Sequence, residues 1–329
     1  MNIPNKISLL TLALLTSLFA EIQAYTPKPE LVFQAGWRRD NFKQNVDQHV
    51  PPTTAASAFI NSKAKNIDYF EMGVRGSWAL PSFWNGFYFD CDTWWISQFY
   101  IRGSAYWGRT NSGHWKQTSN AIPATTPLNV AVGRLYHGRS REYDIAVGWM
   151  YPVCGLGDDF GLGAVAGYSY DFIQFKVHHL TNPPNTPNTD PSLFNGEQIK
   201  SGYQGPFVGL DFRYEWRKNI LISAGYEYHI IIKWNGNANF PTTATNLGIV
   251  STHGFARKGY GNVFYLNADW YICDTWILGL GFKYRYFQTR DGHQEPNGGF
   301  AANFQPPQHD SLSAKLTTYG IEMNLGYYF

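Results

Sequence analysis

Alternation of apolar side chains with small or charged ones at every second position constrains this chain more than any other feature. A period of two places the two classes on opposite faces of an extended strand. From Trp276 to Tyr286 the even positions are Trp276, Leu278, Leu280, Phe282, Tyr284 and Tyr286, and the odd ones are Ile277, Gly279, Gly281, Lys283 and Arg285. Between Ile220 and Trp234 the apolar set Ile220, Ile222, Ala224, Tyr226, Tyr228, Ile230, Ile232 and Trp234 stands opposite Ser223, Gly225, Glu227, His229 and Lys233. The pattern returns at the end of the chain, where Ile321, Met323, Leu325, Tyr327 and Phe329 alternate with Glu322, Asn324, Gly326 and Tyr328.

A soluble sandwich also alternates, so the character of the oily face decides what it meets. Aromatic residues stand at the ends of these stretches. Trp95 and Trp107 are separated by roughly 40 Å of strand, or about 30 Å along the normal at a tilt near 40°, and Trp276 and Tyr286 by about 25 Å on the same basis. Such spacings suit two aromatic girdles at the surfaces of a bilayer. The composition agrees: aromatics are 17% of the chain and charged residues only 15%, which suits many half-buried strands and suits helices poorly.

Strands are therefore expected at 30–43, 66–80, 94–109, 140–152, 160–177, 203–216, 220–234, 258–272, 276–290 and 315–329. The fold class is all-β, a transmembrane antiparallel β-barrel of about ten strands. Short turns, such as Trp216 to Asn219 and Tyr271 to Thr275, alternate with long polar loops near 44–65, 110–139, 178–202, 235–257 and 291–314. Short turns face the periplasm and long loops the exterior in outer-membrane barrels, and an even strand count returns both ends to the periplasm.

Residues 1–24 read as a secretory signal peptide: a cationic head at Asn2 to Lys6, an apolar stretch from Leu9 to Ala20, and a small-residue cleavage site ending at Ala24. Residues 25–329 are then one barrel domain. The expected location is the outer membrane of a Gram-negative-type bacterium, with outer-membrane lipid including lipopolysaccharide around the wall. A formal net charge of +2 gives no reason to expect a nucleic-acid partner. The apolar alternation ending at Tyr327 and Phe329 resembles the C-terminal signal read by the barrel-assembly machinery.

Charges of both signs fall on the face away from lipid: Arg38, Asp40, Glu71, Arg75, Arg102, Asp144, Asp171, Asp211, Arg213, Glu215, Glu227, Lys233, Asp269, Lys283, Arg285 and Glu322, joined by His229 as a hydrogen-bonding residue. A charge in a narrow lumen needs water or a partner. These residues form either a web of ion pairs that fills the barrel or the lining of a conduit for small solutes. About ten strands lies nearer the filled end of the size range.

Cys91, Cys154 and Cys273 map to the periplasmic rim, where they are free or interface-buried thiols or else cross-link to other cysteine-bearing envelope proteins. An odd number cannot pair wholly within one chain. No cofactor is expected. His49, His114, His137, His178, His179, His253, His293 and His309 map to the outer loops or rim but lack ligand spacing within any loop, and His178 and His179 would point to opposite faces of an extended strand, so no metal site is read.

Gly202-Tyr203-Gln204-Gly205-Pro206-Phe207-Val208-Gly209-Leu210, the strand pair that follows it to Trp234, and the Gly161 to Tyr170 strand resemble the omptins, ten-stranded outer-membrane barrels with proteolytic members. The resemblance implies an acidic pair on one rim and an Asp-x-His pair opposite, which activate water. The matching places here are Gly108-Arg109-Thr110-Asn111-Ser112-Gly113-His114 and Asn235-Gly236-Asn237-Ala238-Asn239-Phe240, and neither holds a carboxylate to act as base. The fold is carried over and the activity is not, so no catalytic residue is expected.

Cysteine-bearing turns in an aromatic-rich barrel also resemble the Protochlamydia outer membrane protein family, which implies a surface barrel of porin-like or structural duty. Three functions follow in order: a barrel whose outer loops contact host, ligand or lipid; a porin for small hydrophilic solutes; and a rim protease.

Overall fold

In the computed structural model, which describes residues 30–49, 57–79, 98–120, 129–152, 160–181, 196–216, 219–239, 251–272, 275–297 and 309–328, nearly every described residue is in a strand. These strands are β1 (Glu30–His49), β2 (Ser57–Ala79), β3 (Gln98–Thr110), β4 (His114–Asn120), β5 (Asn129–Pro152), β6 (Phe160–Thr181), β7 (Gln198–Trp216), β8 (Ile220–Ile231), β9 (Lys233–Asn239), β10 (Ser251–Ala256), β11 (Lys258–Tyr271), β12 (Trp276–Asn297) and β13 (His309–Tyr328). β1 pairs with both β2 and β13, so the antiparallel sheet closes on itself. At membrane level the ring runs β1, β2, β3, β5, β6, β7, β8, β11, β12, β13, the ten strands expected.

The oily face points outward. Leu280, Met323, Ile145, Phe70 and Leu210 are all more than half exposed, whereas Arg38, Asp171, Arg285 and Asp269 lie at 2% exposure or less. That is the inverse of a water-soluble protein and the pattern of a wall bathed in acyl chains. Exposed Phe99 and Trp107, like exposed Trp276 and Tyr284, are eight residues apart, about 21 Å along the normal at a 40° tilt and close to the height of a lipid-facing band. Trp95 lies outside the described residues. Leu280→Arg, midway between the girdles, is expected to cost about 2–4 kcal/mol in urea titrations of the reconstituted barrel. A value within about 0.5 kcal/mol, normal for a watery surface site, would show that this face does not meet lipid.

Above the upper girdle the structure corrects the loop boundaries. The tracts expected as loops at 44–65, 110–139, 178–202, 235–257 and 291–314 hold strand: the upper halves of β1, β2, β5, β6, β7, β12 and β13, together with β4, β9 and β10. β4 continues β3 by pairing with β2 and β5, and β9 and β10 continue β8 and β11 by pairing with β7 and β12. The wall here stands in water, so its outer face is polar, which mimics a loop in sequence. Its inner face is apolar: Phe42, Ala64, Trp115, Leu135, Ile199, Leu312 and Leu316 are all buried.

One extra residue or a strand break enters several strands at this level. Asn66, His137 and Asp291 take left-handed φ values of 52°, 49° and 55° beside register shifts, and breaks fall at 111–113, Ile232 and Arg257. An inserted residue shifts side-chain phase by one. The break at Ile232 therefore turns Trp234 inward, where it is fully buried, and leaves Lys233 exposed on the outside.

Candidate functional site

The inward side chains form two zones. At membrane level the lumen is crossed by charge-assisted bonds between strands three to five places apart around the ring, with a local cluster on β1 and β2. Arg285 on β12 contacts Glu142 on β5 and donates from Nη1 to Asp171 on β6 at 2.6 Å, and Lys283 also reaches Glu142. Arg102 on β3 donates to Glu227 on β8 at 2.5 Å and lies 3.2 Å from Asp211 on β7. Arg75 on β2 donates to Asp269 on β11 at 2.5 Å. Arg38 binds Asp40 and Glu71, each at 2.6 Å, and lies over the Tyr69 ring. Excluding water strengthens each pair, and leaving any partner alone would be costly for the same reason.

Neutral residues complete the web. The Tyr100 and Tyr265 hydroxyls each donate to Asp211 at 2.5 Å, the Tyr106 hydroxyl donates to Gln34, and Asn324 donates to Asp269. Sequence reasoning misses these residues because a tyrosine or amide on the inner face looks the same as one on any polar surface. Of the expected lumen set, Arg38, Glu71, Arg75, Arg102, Asp171, Asp211, Glu227, His229, Asp269, Lys283, Arg285 and Glu322 lie in this web. Arg213 stacks over Tyr100 and donates to Ser77 at 3.4 Å, whereas Lys233 lies outside the barrel. A polar cavity open to solvent lies among Glu30, Arg75, Arg102, Asp144, Arg213 and Glu322, toward the periplasmic strand ends.

Ser169, His229 and Glu227 form a chain with the connectivity of a hydrolase triad. Ser169 Oγ is 2.8 Å from His229 Nδ1, and His229 Nε2 is 2.8 Å from Glu227 Oε2. Access is missing. Ser169 and His229 are 3% and 2% exposed, the imidazole lies 4.7 Å centroid to centroid against Phe207 and edge-on to Phe287, and neither residue lines the cavity. No carbonyl carbon can approach Oγ, so the arrangement orients an inner hydrogen-bond network.

Above the web the lumen turns apolar. Phe42, Trp115, Leu135, Ile173, Phe175, Val177, Ile199, Tyr203, Trp234, Phe287 and Leu316 form one buried cluster inside the upper wall. Phe175 is central, edge-on to Phe42 at 6.1 Å and 5.9 Å from Trp115. Glu197, just before β7, is buried, with Oε2 unpartnered among the described residues, and burial pushes its carboxyl up to about 8. It is therefore mainly protonated at neutral pH.

At the outer rim, residues 108–114 span the β3–β4 break and 235–239 lie in β9, with no aspartate at either place. His114 is exposed but begins a strand, not a loop. His178 and His179 do not diverge as alternation predicts: His179 takes a φ of 52° and the two rings meet at 4.2 Å. Among the described residues no cluster of three or more His, Cys, Asp or Glu could hold a metal. The signal peptide, Cys91, Cys154, Cys273 and Phe329 lie outside the described residues. Tyr327 lies outward beside Trp276 at 5.4 Å.

The model of the Protochlamydia outer membrane protein family matches residues 32–329. No curated protein matches. The outer membrane protease OmpT from Escherichia coli has a similar fold, with a TM-score of 0.59 at 11% identity over 94% of this chain and 99% of that one. Ail, the attachment invasion locus protein of Yersinia pestis, aligns at 0.28 with 10% identity over 92% and 99%. The outer membrane protein OprG from Pseudomonas aeruginosa aligns at 0.32 with 9% identity over 92% and 96%.

Proposed function

The chain belongs to the Protochlamydia outer membrane protein family, and on that premise we propose that this outer-membrane β-barrel is a closed, non-catalytic surface protein whose outer wall and loops make the contacts that matter. The apolar plug around Phe175 carries the reading. Hydrated ions do not cross a packed aromatic cluster, and the charge web beneath it is tied up in its own pairs. The barrel then serves as an anchor: lipid and lipopolysaccharide surround the wall, the barrel-assembly machinery reads the strand ending at Tyr327 and Phe329, and the rim faces a host surface. Cys91, Cys154 and Cys273, which map by sequence to the periplasmic rim, serve for cross-links to cysteine-bearing envelope proteins.

Planar-bilayer recording tests this directly. The purified chain should insert without stable unitary steps. Reproducible steps would replace the reading with the porin alternative, in which Arg102, Asp211, Glu227, Lys283 and Arg285 line the path. The protease reading lacks its catalytic acids, and only peptide cleavage abolished by His114→Ala would revive it.

A further inference from the structure

A net charge of +2 conceals a strong segregation. Carboxylates of the wall are drawn inward to the web, and the exterior just above the upper girdle is basic. The carboxylates described there, Asp68 and Asp291, already face Arg39 at 2.6 Å and Lys258 at 4.0 Å. Lys315 lies over the Tyr286 ring.

Three arginines on the β3–β5 face differ. Arg109 on β3 and Arg139 on β5 stand directly opposite one another, and Arg141, on the same face two residues along, stands opposite Trp107. All three are exposed, and among the described residues none has a carboxylate within ion-pair distance. Like charges directly opposite across a strand pair destabilise it unless an anion lies between them. The level is set by Trp107, whose Nε1 donates to the Tyr143 hydroxyl at 3.0 Å in the upper girdle. The guanidinium groups therefore stand where outer-leaflet headgroups begin.

We propose that Arg109, Arg139 and Arg141 form a binding site for the phosphates of an outer-leaflet glycolipid. Guanidinium is suited to this task because its planar fork binds phosphate oxygens bidentately, and a weakly hydrated cation sheds water readily at the headgroup level. The site deepens the surface-barrel reading and rests on it. Position favours a membrane phosphate over a soluble polyanion, since the three groups sit directly above the lipid-facing band and below the rim.

The test uses the full chain in detergent, titrated with lipid A bearing both phosphates or with its dephosphorylated form, and bound lipid counted by native mass spectrometry. Retention of the phosphorylated form should be about tenfold higher. R109Q/R139Q/R141Q should lose about that factor while keeping the heat-modifiable migration of a folded barrel, and R109K/R139K/R141K should fall between, because charge is kept and the fork is lost. Equal retention of the two lipids, or by the folded glutamine variant, overturns the site. Displacement of lipid by heparin fragments at matched anion concentration overturns the membrane source. A chain that stays dissolved without detergent would instead sink the barrel reading itself.

Discussion

Arg285→Met should destabilise the folded barrel by about 3–5 kcal/mol, the largest single-residue effect expected in the charge web. Arg285 is 2% exposed, and it is the only cation within ion-pair distance of Asp171, itself 2% exposed, among the described residues. Glu142 keeps Lys283 when the guanidinium is removed, whereas Asp171 keeps no opposite charge at contact. An isolated carboxylate in a medium of low polarity must recruit water or take up a proton, and either outcome costs most of what the pair had offset. R285M/D171N removes the stranded charge together with its partner and should recover a large part of the loss. Urea midpoints of the reconstituted protein would read both values. If R285M alone stays within about 1 kcal/mol of the parent, far below the cost of stranding a buried charge, water already fills this level and the web is a hydrated lining rather than a packed knot.

The contrast between the two halves of the barrel explains what can be read from residues alone. Where lipid bathes the wall, Leu278, Leu280 and Phe282 face outward and Lys283 and Arg285 inward, so period-two alternation yields the strand and its facing at once. Above the girdle both neighbours of the wall change: water lies outside and an apolar filling lies inside. The segment Lys63-Ala64-Lys65 thus reads as a polar loop although Ala64 is fully buried in β2. The inserted residues add a second obstacle, since one extra residue reverses every facing beyond it. That is why alternation places Trp234 among lipids and Lys233 in the lumen, when each takes the other side. Ser169 escapes a sequence reading for a different reason, because its role depends on His229, far along the chain, and no local spacing announces it.

Phe175→Ala should cost about 3–5 kcal/mol, comparable to a large aromatic lost from a soluble core. The location makes the effect diagnostic. Phe175 lies in the part of the wall that stands above the lipid band, so its loss should be nearly the same in detergent micelles and in bilayers, unlike the loss for Leu280→Arg, which depends on acyl chains. Trp115 and Phe175 pack against each other, so W115A/F175A should depart from additivity while removing the two rings that close the centre of the plug. His229 supplies an internal reporter. Its ring is screened by Phe207 and Phe287 beneath that plug, so diethyl pyrocarbonate added to the parent should leave it unmodified, and peptide mapping should find it modified in the double variant. A neutral F175A together with parent His229 already reactive from outside would mean that the aromatic cluster neither packs nor seals, and the interior would then have to be treated as a solute path.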